Sequence, residues 1–182
     1  MMKWILIVPV LILLLYCLAG CVRSGDQDTE IIDGGQVHHL DEDAPKEIES
    51  TEIVAFSCEF STTDIPMNES PVAGRYYTLY AGEDGGRFEE RAGGDIFAEH
   101  DFTPDAAFFD RLQQIVSAYD LARYNGAFTS VAGLPPDLGA KLSIRYASGE
   151  SIRAADNQDS FLPLEAMEDL VALFHPNTSE QE

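Results

Sequence analysis

The side chains that could perform covalent chemistry are few, and the first to consider is a cysteine thiol. Cys58 could act as a nucleophile if His100 or His175 lay close enough to take its proton. Such a thiol needs exposure and a positive neighbourhood, because the thiolate is the reactive form. Cys58 instead alternates with apolar residues such as Phe60, and Glu59 follows it directly. The spacing therefore favours a buried core thiol over a catalytic one.

The possible metal ligands are His38 and His39, which stand beside Asp41–Asp43, and the triplet Glu99–Asp101. Adjacent residues of an extended chain point to opposite sides, so neither group can direct all of its ligands at one ion. The chain also lacks G-x-S-x-G, H-E-x-x-H and G-x-x-x-x-G-K-[ST], the motifs of α/β-hydrolases, zinc peptidases and P-loop proteins. The sequence therefore predicts no catalytic residue, no metal site and no cofactor.

The net charge of the chain argues against two classes of partner. The 182 residues contain 32 acidic and 11 basic side chains, which gives a formal net charge of −21 at pH 7. A nucleic-acid backbone is bound by clustered Lys and Arg, so nucleic acid is not an expected partner. The same charge argues against docking on anionic lipid by electrostatic attraction.

A short apolar run, residues 4–18, follows Lys3 at the start of the chain. A helix of this length would cover roughly 22 Å, less than the roughly 30 Å of hydrocarbon in a bilayer. A basic residue followed by a short apolar run is typical of a secretory signal peptide. The residues that end the run, Leu18-Ala19-Gly20-Cys21, resemble the lipobox of bacterial lipoproteins, in which an apolar residue and two small residues precede a cysteine.

The lipobox resemblance implies that the Cys21 thiol receives a diacylglycerol and that a peptidase removes residues 1–20, the signal peptide. The mature protein would then be attached to the cell membrane through the lipid on Cys21 and would face outside the cytoplasm. Two or more lipid chains give stable attachment, so the folded part would not have to bind the membrane. The alternatives are an uncleaved membrane anchor, in which Cys21 is incidental, and secretion without a lipid.

Residues 21–50 are predicted to form a flexible acidic tether behind the lipid. From residue 22 onward this stretch contains nine acidic side chains against Arg23 and Lys46, and it has no aromatic residue. Such a composition cannot bury enough apolar surface to offset the entropy of ordering the chain. Its expected role is to hold the folded domain away from the membrane, and weak binding of divalent cations is an open alternative.

Residues 51–175 are predicted to form one globular domain, followed by a polar tail at residues 176–182. This part of the chain holds all ten Phe residues. Alternating apolar patterns predict strands at residues 52–61, 74–81, 87–92, 96–102, 139–147 and 150–155. The glycine-rich residues 84–100 could instead form a long loop.

Two helices are predicted from apolar residues at helical spacing. Thr103 is the expected N-cap of the first, which should end near Tyr124, and Pro163 and Pro176 should bound the second. Strands are followed by a helix, a hairpin and a second helix along the chain. This order predicts an α+β fold, in which an antiparallel sheet has two helices packed on one face.

The long connection at residues 125–138 and the polar turn at residues 156–159 are the candidate binding loops. They flank the two strands of one predicted hairpin, so they should be neighbours. Apolar groups beside a few polar oxygens are the usual composition of a ligand site. The predicted binding rim consists of Asn125, Phe128, Leu134, Asp156, Asn157 and Asp159. The alternative is that Phe128 and Leu134 cover the end of the core, and a calcium ion at the turn is conceivable.

Three segments of the domain, Ala122–Gly126, Leu142–Glu150 and Phe161–Glu165, resemble uncharacterised small lipoproteins of Gram-positive gut bacteria. The resemblance covers residues 104–175 and implies no functional residue. The favoured hypothesis is a lipid-anchored extracytoplasmic binding or interaction module for an unknown protein or small ligand. The alternative is a small cell-envelope hydrolase or wall-modifying enzyme. A cleft that brings together carboxylates or histidines with perturbed pKa values would favour the enzyme.

Overall fold

A computed structural model describes residues 29–32, 35–135 and 137–175. The predicted signal peptide, Cys21 and the predicted polar tail lie outside these residues. The strands are β1 (Thr29–Ile32), β2 (Gln36–Leu40), β3 (Ile53–Ser61), β4 (Tyr76–Gly82), β5 (Gly85–Ala92), β6 (Asp95–Phe102), β7 (Ala127–Val131), β8 (Ala140–Tyr146) and β9 (Ser151–Asp156). The helices are α1 (Ala106–Ala118), a 3₁₀ helix (Leu121–Tyr124) and α2 (Leu164–Phe174). None of the helices in the described part of the chain has the length and apolar character to cross a bilayer.

Within the described residues the nine strands form one sheet in the order β1-β2-β7-β9-β8-β3-β4-β5-β6. Neighbouring strands are antiparallel except β7 and β9, which are parallel. The predicted α+β class is confirmed, and the sheet is mostly antiparallel as expected. The long-loop alternative for residues 84–100 is wrong, because β5 and β6 pair along their length.

One face of the sheet is apolar because alternate residues of each strand point the same way. Cys58 of β3 pairs with Leu79 on one side and Leu142 on the other, and all three side chains are buried. The prediction of a core thiol is confirmed, since Cys58 is fully buried and not in a disulfide. Burial, followed by the charge of Glu59, raises the pKa of Cys58 well above its usual range. A thiolate nucleophile is therefore disfavoured at this position.

The opposite face of the same strands carries ion pairs. The Glu59 carboxylate accepts hydrogen bonds from the Tyr76 hydroxyl at 2.8 Å and the Lys141 ammonium at 2.9 Å. Burial acts to raise the pKa of Glu59, but the two hydrogen bonds together with the positive charges of Lys141 and Arg91 outweigh it and lower the pKa. On β5 the buried Glu89 pairs with Arg91 at 2.7 Å and Arg87 at 3.3 Å. The sheet therefore has an apolar face and an opposite face that carries ion pairs.

Helix α1 begins two residues later than the sequence predicts. Asp105, not Thr103, is the N-cap, and its carboxylate accepts a hydrogen bond from the Phe108 amide at 2.7 Å. The helix also ends earlier, at Ala118, instead of continuing to Tyr124. Asp120 has the left-handed backbone conformation, with φ of 49°, which ends helical geometry before the 3₁₀ helix. A short polar side chain tolerates this conformation better than most.

Helix α2 follows Pro163, as predicted, and buries Ala166, Met167, Leu170 and Phe174. The Phe174 ring contacts rings from three other elements. Its centroid lies 5.5 Å from that of Phe56 on β3, 5.8 Å from Phe102 on β6 and 5.0 Å from Phe108 on α1. Aromatic rings at these separations attract each other beyond the benefit of burial alone. Phe174 therefore brings α2 into contact with β3, β6 and α1.

The prediction that residues 21–50 form a flexible tether is wrong for part of that range. Strand β2 lies inside residues 21–50 and pairs with β7, from Gln36 opposite Val131 to Leu40 opposite Ala127. The His38 side chain adds a hydrogen bond of 3.0 Å to the Thr129 hydroxyl. Strand β7 pairs with β9 on its other side, so β2 covers an edge that would otherwise leave backbone groups unpaired. Folded structure therefore begins before residue 51, against the predicted domain boundary.

Candidate ligand groove

A groove of about 510 Å³ lies between residues 41–45 and the β8–β9 hairpin. We call it the linker groove, and its polar and aromatic lining includes Asp41, Asp43, Asn125, Phe128, Glu150 and Arg153. Two of the six predicted rim residues, Asn125 and Phe128, are among them. The volume is large enough for a small organic ligand.

Asn125 is a buried residue of the linker groove whose side chain holds the surrounding backbone in place. It is 5 % exposed, and its amide nitrogen donates to the carbonyls of Pro45 at 2.9 Å and Ser151 at 3.0 Å. Its side-chain oxygen accepts from the Arg153 amide at 2.8 Å. The Lys46 ammonium donates to the Asn125 carbonyl. Asn125 is thus a positioning residue that connects residues 45–46 to β9.

Gly126 lets residues 41–44 pass close to the start of β7. Its carbonyl accepts from the Asp41 amide at 2.9 Å, and its amide donates to the Arg153 carbonyl at 2.8 Å. With φ at +80°, a Cβ here would lie 2.6 Å from the Ala44 Cβ and 2.7 Å from the Asp41 carbonyl oxygen. Only glycine combines this backbone conformation with such a close approach.

Glu150 attaches residues 49–50 to the β8–β9 turn. Its carboxylate accepts from the Ser148 hydroxyl at 2.7 Å and from the amides of Glu49 at 3.0 Å and Ser50 at 3.1 Å. The Ser148 hydrogen bond and then the Glu49 amide lower the pKa of Glu150, because they stabilise the ionised form. The Glu150 carboxylate already accepts these three hydrogen bonds. Its role is therefore to hold the shape of the groove rather than to bind a ligand.

The charges available to a ligand stand in two groups. Asp41 and Asp43 belong to the acidic segment, and Asp41 accepts a hydrogen bond of 3.1 Å from the Asp43 amide. Arg153 is exposed on β9 and forms no ion pair among the described residues. Phe128 is half-buried beside them and stacks on His39, with ring centroids 6.2 Å apart. The groove therefore offers negative, positive and apolar contacts together.

The other predicted rim residues lie outside the lining of the groove. Asn157 pairs with the β7 backbone, accepting from the Val131 amide at 2.7 Å and donating to its carbonyl at 2.9 Å. Asp156 accepts from the amides of Gln158 and Asp159, which closes the turn. The two predicted loops are neighbours, as expected. Leu134 is half-buried and does not line the groove with Phe128.

Four residues of the groove are not among the predicted rim residues, namely Asp41, Asp43, Glu150 and Arg153. Asp41 and Asp43 lie in the predicted flexible tether, and Glu150 and Arg153 lie in the predicted strand at residues 150–155. A signal was present in Ile48, an apolar residue within the acidic stretch, which packs against the core. An apolar residue at this position does not by itself predict a packed segment, because apolar residues also occur singly on protein surfaces.

The groove residues do not form a metal site. Among the residues that the structure describes, no three His, Cys, Asp or Glu side chains converge in a way that could hold a metal ion. Comparison with known proteins gave no matching family, no matching characterised protein and no matching solved structure.

Proposed function

We propose that this protein is a lipid-anchored binding module, outside the cytoplasm, that holds a small ligand in the linker groove. The observation that carries the proposal is the groove of about 510 Å³, in which opposite charges flank the apolar surface of Phe128 and Pro45. The lipid attachment is supported by the sequence Leu18-Ala19-Gly20-Cys21. A packed acidic segment, residues 41–50, would connect the site to the membrane side of the molecule.

The lining favours a ligand that carries both charges. A carboxylate would pair with Arg153 in the bidentate geometry that a guanidinium offers. An ammonium group would be attracted to Asp41 and Asp43, and an apolar body would lie against Phe128. A free amino acid or a short peptide has this chemistry. Because the groove is formed partly by residues 41–45, its ligand would bind only to the fully folded chain.

Replacing Arg153 by Ala tests the proposal. We expect a panel of free amino acids and glycyl dipeptides to contain a compound that raises the melting temperature of the wild-type protein. A ligand at 100 times its Kd stabilises a folded protein by about 2.7 kcal/mol. Arg153→Ala should abolish this stabilisation by removing the carboxylate partner. Differential scanning fluorimetry measures both effects.

Arg145 provides the matched control. It is exposed on β8, opposite Ser151 in the register, and it is not a lining residue of the groove. Arg145→Ala changes the net charge equally and should leave the ligand effect intact. Equal losses in both variants, or no stabilisation by any compound, would contradict the groove assignment. Conversion of the ligand during incubation would instead favour the envelope-hydrolase alternative.

Cys21→Ala tests the lipid anchor. The variant should remain unprocessed and lack the lipid, because the thiol that would carry it is gone. Mass spectrometry measures the missing lipid and the retained residues 1–20. Trp4 is the only Trp of the chain, so processed wild-type protein should show tyrosine emission without a tryptophan band. Membrane-derived protein that still contains Trp4 would contradict cleavage before Cys21.

We also infer that both helices cover the apolar face of the sheet. The support is the set of ring contacts that Phe174 of α2 makes with Phe56, Phe102 and Phe108 of β3, β6 and α1. This arrangement would leave the opposite, ion-paired face exposed. The linker groove lies beside the first residues of β9, next to residues 41–45.

A further inference from the structure

A second depression, of about 200 Å³, lies between helix α1, residues 46–48 and the end of β8. We call it the helix pocket, and its lining includes Glu47, Gln113, Ser117, Asp120 and Tyr146. It shares no lining residue with the linker groove. Its volume exceeds what one water molecule requires.

Two buried polar atoms of the pocket lack hydrogen-bond partners among the described residues. They are the Tyr146 hydroxyl and the Gln113 Oε1. Tyr146 is 3 % exposed. Buried polar groups are almost always paired, because an unpaired one forfeits its hydration without compensation. Both atoms belong to residues that line the helix pocket, where a ligand would complete their hydrogen bonds.

The hydrogen bonds within α1 define what Gln113 can offer. Its amide nitrogen donates to the Ser117 hydroxyl at 2.9 Å, one turn further along the helix. The Oε1 is therefore left as an acceptor that needs a donor from the ligand. Tyr146 can accept as well as donate. A ligand group that donates hydrogen bonds would therefore pair with both atoms.

The charged groups of the pocket are mainly negative. Glu47 and Asp120 line it, and the left-handed backbone of Asp120 places this acidic residue between α1 and the 3₁₀ helix. Lys46 also lines the pocket, but its ammonium donates to the Asn125 carbonyl. Ile48, Val116 and Ala122 supply apolar surface. Acceptors and negative charge beside a small apolar wall suit a cationic donor.

We propose that the helix pocket binds a small organic ammonium ion, a primary amine with a few carbon atoms. The ammonium group donates to Gln113 Oε1 and the Tyr146 hydroxyl, and Glu47 and Asp120 balance its charge. The alkyl body lies against Ile48 and Val116. The helix pocket shares no lining residue with the linker groove. An experiment can therefore contradict the ligand proposed for one site without contradicting the ligand proposed for the other.

The test is isothermal titration calorimetry on the full chain in detergent, with n-butylamine as probe and n-butanol as its neutral counterpart. Butylamine should bind, and butanol should bind at least about tenfold more weakly. Tyr146→Phe removes only the hydroxyl and should weaken butylamine binding about tenfold. Asp120→Asn removes the charge while keeping a residue that tolerates the left-handed conformation, and it should also weaken binding.

Tyr80→Phe is the matched control, since Tyr80 is exposed on β4 and lies outside the pocket. It should bind butylamine as the wild type does. Absence of butylamine binding, equal binding of butanol, or unchanged affinity in Tyr146→Phe would overturn the proposal and leave only ordered water in the pocket. If Tyr146→Phe fails to fold, Asp120→Asn decides, and unchanged affinity there overturns the proposal equally.

Discussion

Phe174→Ala is expected to lower the free energy of unfolding by about 3–5 kcal/mol, the range for truncating a large aromatic side chain in a core. Phe174 is 1 % exposed and its ring contacts Phe56, Phe102 and Phe108, so the truncation leaves a cavity bounded by three elements. The surrounding rings are held by the sheet and by α1, and they cannot collapse fully into this space. Urea denaturation of the wild type and the variant measures the difference.

Phe97→Ala is the control for this truncation. Phe97 is 66 % exposed on β6, and its ring lies under the Arg75 guanidinium at 4.9 Å. Its loss should cost less than about 1 kcal/mol, because an exposed cation–π contact is worth about 0.5–1 kcal/mol. A similar loss in both variants would contradict the burial of Phe174.

A double-mutant cycle with Phe108 extends the same measurement to the placement of the helices. If α1 and α2 cover one face together, Phe108→Ala and Phe174→Ala should be non-additive by about 0.5–3 kcal/mol, as for residues in direct contact. Additive effects would contradict the packing of both helices on the apolar face.

Asn125→Ala is expected to lower the free energy of unfolding by about 2–4 kcal/mol, since each buried polar group left unpaired costs about 1–3 kcal/mol. The substitution removes the partners of the Pro45 and Ser151 carbonyls and of the Arg153 amide. Once residues 45–46 separate from β9, water can form hydrogen bonds with some of these groups. The loss in unfolding free energy is therefore smaller than the sum of the costs of three unpaired groups. The loss should also release residues 41–45 from the linker groove.

Gln158→Ala is the control for Asn125→Ala, because Gln158 is an exposed amide side chain in the turn after β9. It should change stability by no more than about 0.5 kcal/mol, as is usual for surface positions. Hydrogen exchange of the Arg153 amide gives a second readout, and this amide should lose protection in Asn125→Ala. Retained protection and an unchanged unfolding free energy would contradict the positioning role of Asn125.

Strand β3 and helix α1 were predictable because their signals are local. Phe56, Cys58 and Phe60 alternate over a few residues, and this alternation alone places the three side chains on one face. Phe108, Leu112 and Val116 recur every fourth residue and are all buried. The ends of α1 were less predictable. Thr103 and Asp105 are both good N-caps, and only the path of the chain after β6 decides between them.

Strand β7 could not be predicted, because its pattern resembles that of a loop. Residues 127–131 contain Ala, Phe, Thr, Ser and Val, with four partly buried positions and little apolar alternation. They form a strand because β9 and β2 provide backbone partners on both sides. Strand propensity depends strongly on such context, which a single sequence does not contain.

The sequence by itself determined the α+β class and the burial of Cys58, and it predicts the lipid attachment at Cys21. Each of these follows from residues close together in the chain, where spacing fixes which side chains share a face or a motif. The tertiary structure alone decided the linker groove. Its wall depends on contacts such as the one between His38 and Thr129, which are 91 positions apart. Strand β2 pairs with β7, which lies far along the chain, so no local pattern near residue 41 could specify this pairing.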